Sequence, residues 1–278
     1  MKKRSVAFIP ALVAVAVGSV VLGYAFRGNL REFAYAFSRP SLPDAVAYVP
    51  PRAPEPTPVP DIVKPAPKPG TPVTVAKGTE LEWTGSFVES INLSIPFLLQ
   101  APKQNWVQPF EDACEEASLL MADAYYDGRK TNFGADEGIL RILEVVAYED
   151  NAYGYNKDTT SDDVAHTAIN YFKYKKAIVV DATETNIKAA LAKGYPVIAP
   201  AYGKALLNPN FRNGGPEYHM LVIKGYLKDG RWITNDPGTR NGADYVYGKQ
   251  LLLDAIHDYD ASGMTNGRKV IIVILPNT

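Results

Sequence analysis

The only cysteine of this 278-residue chain lies in the stretch Gln108-Pro-Phe-Glu-Asp-Ala-Cys114-Glu-Glu-Ala-Ser-Leu-Leu-Met-Ala-Asp-Ala-Tyr-Tyr126. Beyond Asp112, the apolar Ala113, Ala117, Leu120, Met121 and Ala124 recur at helical spacing, which predicts a helix starting here. Asp112 suits the N-cap, and Glu115 three residues on completes a capping-box pattern. Cys114 is then expected at the second helical position, where free backbone N–H groups and the helix dipole favour a thiolate. Gln108, six residues upstream, is placed to reach back and donate a hydrogen bond beside the sulfur. Such a pair is half of a nucleophilic site. A free cysteine is equally at home as a small buried residue of a helix. Glu115 and Glu116 would oppose thiolate formation.

A nucleophilic cysteine needs a base to take its proton and a partner to orient that base. His219 opens an apolar run, 218–226, just after a glycine-containing loop, 202–217. A histidine satisfied inside a sheet is the alternative there. Asp236 closes the partner strand, 231–235, in the turn Asp236-Pro-Gly238. With a two-residue hairpin turn at Asp229-Gly230, Asp236 would face Ile223, on the same side of the strand as His219. The four-residue offset leaves about 13 Å between them at strand rise. Contact therefore calls for a bulge, strong twist or a longer turn.

The remaining polar residues carry less. His166 and His257 fall in expected helices as structural or surface residues, and no CxxC pattern exists, so a zinc site is not indicated. Glu149-Asp150 reads as a solvated loop and Asp162-Asp163 as a helix start. The tyrosine-rich stretch 148–155 fits either the wall of a peptide groove or ordinary packing. With 29 basic against 30 acidic residues, nothing points to nucleic acid.

Three regions follow from composition. Residues 1–38 hold Lys2, Lys3 and Arg4, then an uncharged run, 5–26, long enough for the ~20 residues that cross a bilayer in a helix. The length of the run and the lack of a clean Ala-x-Ala site predict an uncleaved anchor. The basic cluster sets its N-terminus inside and the rest outside the cytoplasm, the alternative being secretion after signal cleavage. Residues 39–76 contain twelve prolines and are expected as a semi-rigid spacer without helix or sheet ladders. Residues 77–278 form the globular domain. There, 81–99 reads as extended, 135–148 and 161–173 as helices, and 183–193 as a helix stopped by Gly194. Strands are expected at 196–201, 218–226, 231–235 and 270–275, with a short helix at 251–259. Helices first and an antiparallel sheet later is an α+β order.

The order Gln108, Cys114, His219, Asp236 resembles the papain-like cysteine peptidases and is more closely similar to the bacteriocin-processing, C-39-like family. Matching pieces are Ile95-Pro-Phe before a glutamine-containing loop, Cys114-Glu with Leu120-Met121, and Leu191-Ala-Lys-Gly-Tyr-Pro-Val-Ile-Ala199. Tyr218-His219-Met-Leu-Val-Ile-Lys-Gly-Tyr226 and Asn235-Asp236-Pro237 complete the set, which spans roughly 94–276. The resemblance implies a papain-like α+β fold and hydrolysis of peptide bonds through a thioester. It places the nucleophile at Cys114, the proton shuttle at His219, the orienter at Asp236 and the oxyanion donor at Gln108, with Gln104 and Gln100 as weaker candidates. No metal or organic cofactor is needed, and the expected partners are a peptide or protein substrate and the membrane. Glu115 replaces the glycine usual in leader-processing members, and no ATPase or transport segment is present. A catalytically silent module binding peptide or cell-wall material on a stalk is the alternative, and cleavage of cell-wall peptides a third.

Overall fold

The structure is a computed structural model that describes residues 39–49, 76–78 and 80–277; the expected anchor at 5–26 and the prolines from 50 to 72 lie outside these residues. The chain divides into Met1–Ser41, of which only 39–41 are described, and a compact unit, Leu42–Thr278. Among the described residues, no helix is long and apolar enough to cross a membrane.

In chain order the elements are β1 (Ala76–Gly78), β2 (Ile91–Asn92), α1 (Cys114–Tyr126), α2 (Ala135–Ala152), α3 (Ser161–Asn170), β3 (Lys176–Asp181) and α4 (Glu184–Ala192). There follow β4 (Val197–Tyr202), β5 (Tyr218–Tyr226), β6 (Trp232–Asn235), β7 (Tyr245–Tyr247), α5 (Lys249–Ala255) and β8 (Val270–Leu275). The sheet runs β1-β3-β8-β4-β5-β6-β7, with β2 also on β5. Among the described strands β1 and β3 pair in parallel, and the other strand pairings are antiparallel. Helix α1 packs on β5 and β4, and α3 on β3 and β8.

β5 is buried along its whole length, as its unbroken run Met220-Leu-Val-Ile223 requires of a strand covered on both faces. Its one lysine, Lys224, is tied to Asp244 at 2.6 Å. Helix α1 is buried nearly all round, from Cys114 through Ala122, its small Ala117 and Ser118 letting it sit close to the sheet. Leu119, Leu120 and Met121 are shielded almost completely, each stabilising the fold by about 1.5–3 kcal/mol.

Several expectations are corrected. Helix α1 starts at Cys114, not before it: Ala113 is the N-cap and no side chain caps it. Asp112 instead binds the Gln108 amide and Lys157. Helix α2 runs on through Glu149 and Asp150, so Glu149 is a fully buried helical residue and not part of a solvated loop. Of the extended stretch 81–99, only Ile91–Asn92 is a strand. β1, which begins within the expected spacer at Ala76, and β3 and β7 are strands beyond those expected. Part of the presumed spacer also packs on the domain: Val46 bridges Leu93, Asn92 donates to the Pro43 carbonyl, and the Tyr48 ring meets Tyr125 and Tyr126. Thr160 caps α3 in a full capping box with Asp163, and Thr183 caps α4. His166 lies in α3, and His257 just beyond α5.

Candidate active site

The hairpin β5–β6 brings together two residues that a regular ladder would keep apart. Leu227 N–H donates to Arg231 O at 2.8 Å, so the turn holds three residues, Lys228-Asp229-Gly230. Gly225 then pairs with Ile233, but Ile223 pairs with Thr234, which leaves Lys224 as a bulge. Turn and bulge each advance the register by one residue. Val222 faces Asn235, so Asp236 follows two residues nearer His219 than a regular two-residue hairpin allows. Gly225 is required at this point: a Cβ there would lie 2.1 Å from the Ile91 carbonyl oxygen of β2.

The outcome is a buried imidazole–carboxylate pair. His219 Nε2 lies 2.8 Å from Asp236 Oδ1, with the two side chains 1% and 0% exposed. Asp236 Oδ1 also accepts the Gly238 N–H at 3.0 Å, while Oδ2 accepts the Tyr247 hydroxyl at 2.5 Å and the Asn208 amide at 3.2 Å. Burial pushes the Asp236 carboxyl up, but His219, the Tyr247 hydroxyl and the Gly238 N–H together hold it below its ordinary value. A carboxylate facing Nε2 fixes the tautomer with hydrogen on Nε2, which leaves Nδ1 as the basic nitrogen. Phe211 packs edge-on to the imidazole, with ring centroids 5.3 Å apart.

His219 opens onto a cavity of about 350 Å³ that Gln100, Trp106, Glu111, Phe211 and Gly238 also line. A larger cavity of about 420 Å³ beside Asp123 and Arg129 contains none of these groups. Gln100 is 3% exposed; its Nε2 donates to the carbonyls of Glu111 at 2.9 Å and Phe110 at 3.2 Å, and its Oε1 is buried without a partner. Its backbone N–H donates to Pro237 O, tying it to the Asp236 turn. Gln108 is elsewhere: it is exposed and its amide is held by Asp112. Gln104 is exposed as well. The signal for Gln100 was the run Ile95-Pro-Phe-Leu-Leu-Gln, outweighed by the shorter spacing from Gln108 to Cys114.

Cys114 sits at the head of α1, 4% exposed and not among the residues lining the cavity. Its Sγ donates to Glu115 Oε2 at 2.9 Å, and Glu115 Oε1 accepts the Thr159 N–H at 3.1 Å. Burial, then the Glu115 and Glu116 carboxyls, push the thiol well above its ordinary range, and a Met220 backbone N–H acts weakly in the other direction. Behind the thiol, Glu115, Glu116 and Glu149 are all buried. Burial raises Glu115 and Glu149 to about 8, and Glu116 is also raised well above its ordinary value, with Glu149 contributing to that shift. Glu115 and Glu149 are therefore largely protonated at neutral pH, so Glu115 is not the standing charge expected beside the thiol. The structure thus places His219 and Gln100 on one cavity, with Asp236 behind the imidazole and the thiol resting on Glu115. Among the described residues, no group of His, Cys, Asp and Glu is placed to hold a metal ion.

An oriented imidazole thus lines a cavity on a domain of helices packed on a mostly antiparallel sheet. The chain belongs to the Peptidase_C39 like family, whose sequence profile matches residues 92–263, more than half its length. Among curated proteins, none matches it. Solved structures similar to it include a candidate C39-like peptidase from Bacillus anthracis, 15% identical with a TM-score of 0.45, covering 68% of this chain and 98% of that one. Another is a prointerpain A fragment from Prevotella intermedia, 13% identical with a TM-score of 0.45, covering 69% and 74%.

Proposed function

We propose that this chain is a cysteine peptidase in which Cys114 is the nucleophile, His219 the proton shuttle, Asp236 the orienter and Gln100 the oxyanion donor. The observation that carries this reading is the buried His219–Asp236 pair opening onto the cavity that Gln100 shares, in a chain of a peptidase family. In the first step the Cys114 S–H proton passes to His219 Nδ1 and the sulfur attacks the carbonyl carbon of a peptide bond. The oxyanion takes hydrogen bonds from the Cys114 N–H, free at a helix start, and from Gln100 Nε2. The Gln100 bond to Phe110 O, the longer of its two, is the one exchanged. His219 then gives its proton to the departing amine, leaving a thioester. It next takes a proton from the water that attacks the thioester and returns it to the Cys114 sulfur as the C–S bond breaks and the acid leaves. For the sulfur to reach the imidazole, the Cys114 side chain must leave Glu115.

The same proposal places the domain outside the cytoplasm, held by the apolar run at 5–26 and acting on peptide or protein chains. Cys114→Ala should abolish both peptide cleavage and labelling by a thiol-directed peptide electrophile, with melting temperature little changed. Undiminished cleavage in that variant would refute the assignment.

One observation favours a second reading. A thiol donating to a neighbouring carboxyl suits a catalytically silent module that binds peptide or cell-wall material in the same cavity. The pH dependence of Cys114 alkylation separates the two. In the presence of a peptide ligand, a thiolate forming well below pH ~8.5 supports catalysis, and one forming above it supports binding alone.

A further inference from the structure

The charge of Asp236 is held from behind by two side chains that no part of the proposed reaction touches. Tyr247, on β7, donates its hydroxyl to Asp236 Oδ2 at 2.5 Å, and Asn208 Nδ2 reaches both the Tyr247 oxygen at 2.7 Å and Oδ2 at 3.2 Å. All three are buried, at 2%, 3% and 0% exposure. The Asn208 carbonyl in turn accepts the backbone and side-chain N–H groups of Asn210, both at 3.0 Å. Asn210 Oδ1 accepts the Asn241 amide at 3.1 Å, beyond the Asp236-Pro-Gly238 turn. Asn208 and Asn210 belong to the loop that presents Phe211 to the His219 ring and lines the cavity with Arg212 and Asn213.

We propose that Tyr247 and Asn208 are positioning residues: they hold the Asp236 carboxylate aimed at His219 Nε2, and lock the cavity loop to it. This rests on the peptidase reading for its consequence in catalysis, though not for its geometry. With both Asp236 oxygens fully occupied, the carboxylate has one orientation left for the imidazole. A buried polar group stripped of a donor loses that constraint and carries the cost of desolvation unopposed. Of the other titratable groups nearby, Glu111 and Arg212 also line the cavity, and the Tyr245 ring lies against that of Tyr247 with centroids 4.6 Å apart.

The test is proton NMR of the full chain, with the downfield His219 Nε2–H signal assigned by its loss in His219→Gln. In Tyr247→Phe and Asn208→Ala, that proton should exchange at least ~3-fold faster and shift upfield as its acceptor loosens. In Tyr247→Phe the Asp236 carboxyl titration should also rise, because the hydroxyl that helps lower it is gone. Folded variants with an unmoved His219 signal and an unmoved Asp236 titration would overturn the proposal, since a merely structural role leaves both in place. If Tyr247→Phe does not fold, Asn208→Ala carries the test. In the unaltered protein, a slowly exchanging Tyr247 hydroxyl proton close to the Asn208 amide is expected, and its absence overturns the proposal without any variant. None of these measurements uses turnover. A protein that shows them and cleaves nothing loses the peptidase reading and keeps this one.

Discussion

Cys114 Sγ donates its hydrogen to Glu115 Oε2 at 2.9 Å, so the only thiol of the chain rests on the carboxyl of its immediate neighbour. Glu115 is raised to about 8 by burial, and above that pH it is a carboxylate set directly against thiolate formation. Glu115→Gln keeps the size and the acceptor for Thr159 while removing that charge. Alkylation of Cys114 by iodoacetamide should therefore be several-fold faster in the variant above pH 8, about the effect of one nearby charge. Below pH 7 the gap should close, because Glu115 is then protonated. A variant no faster at pH 9 would show that Glu115 does not restrain the sulfur.

Gln100 and Gln108 make opposite predictions. If Gln100 supplies the oxyanion donor, Gln100→Ala should lower kcat by about 10²–10³-fold. Gln108→Ala, which removes an exposed amide bonded to Asp112, should stay within about twofold. Steady-state kinetics on one peptide substrate decide between them. Equal loss in both variants would remove Gln100 from its assigned role.

Why one glutamine was legible and the other not is a matter of loop path. Spacing along the chain ranks Gln108 first, but residues 101–113 fold so that Gln108 faces Asp112 and the more distant Gln100 meets the Pro237 backbone. The strands β5 and β8 and the helix α1 were legible because burial writes an apolar pattern into them; β8 spans the expected residues. The approach of His219 to Asp236 was legible only as a condition, a bulge or longer turn, since neither leaves a periodic mark. The structure supplies both. Glu115, Glu116 and Glu149 were read as charged or solvated because carboxyls seldom sit in cores. Glu115 and Glu116 are buried in the first turn of α1, and Glu149 is buried on α2, which packs against α1.

That burial makes stability depend on pH. Glu115 and Glu149 rise from an ordinary 4.5 to about 8 in the folded chain. A carboxyl raised on folding contributes stability that is complete below its unfolded value and lost as pH climbs through its folded value. The urea midpoint should accordingly fall between about pH 5 and pH 8.5. Asp236 works in the opposite sense: its lowered carboxyl stabilises above the ordinary 3.8 and loses that contribution in more acidic solution. Glu149→Gln, which keeps an acceptor for the Thr167 hydroxyl, should flatten the alkaline decline. A midpoint constant from pH 5 to 8.5 would mean these groups titrate normally.

The bulge that positions Asp236 depends on one missing side chain. Gly225 pairs with Asn92 of β2, and a Cβ on it would meet the Ile91 carbonyl oxygen at 2.1 Å. Backbone cannot yield as a flexible side chain can, so Gly225→Ala must push β2 off the sheet. The displacement would reach the site by two bonds: Leu93 N–H donates to Lys224 O at 2.8 Å, and Asn235, adjacent to Asp236, donates to Ile95 O at 3.0 Å. Overpacking of this kind costs about 1–3 kcal/mol. The urea midpoint should drop by the corresponding amount, and the His219 Nε2–H signal should broaden in the fraction that stays folded. An alanine variant with the stability and the signal of the parent would show that β2 does not press on the bulge, and that the register joining His219 to Asp236 is held by the turn alone.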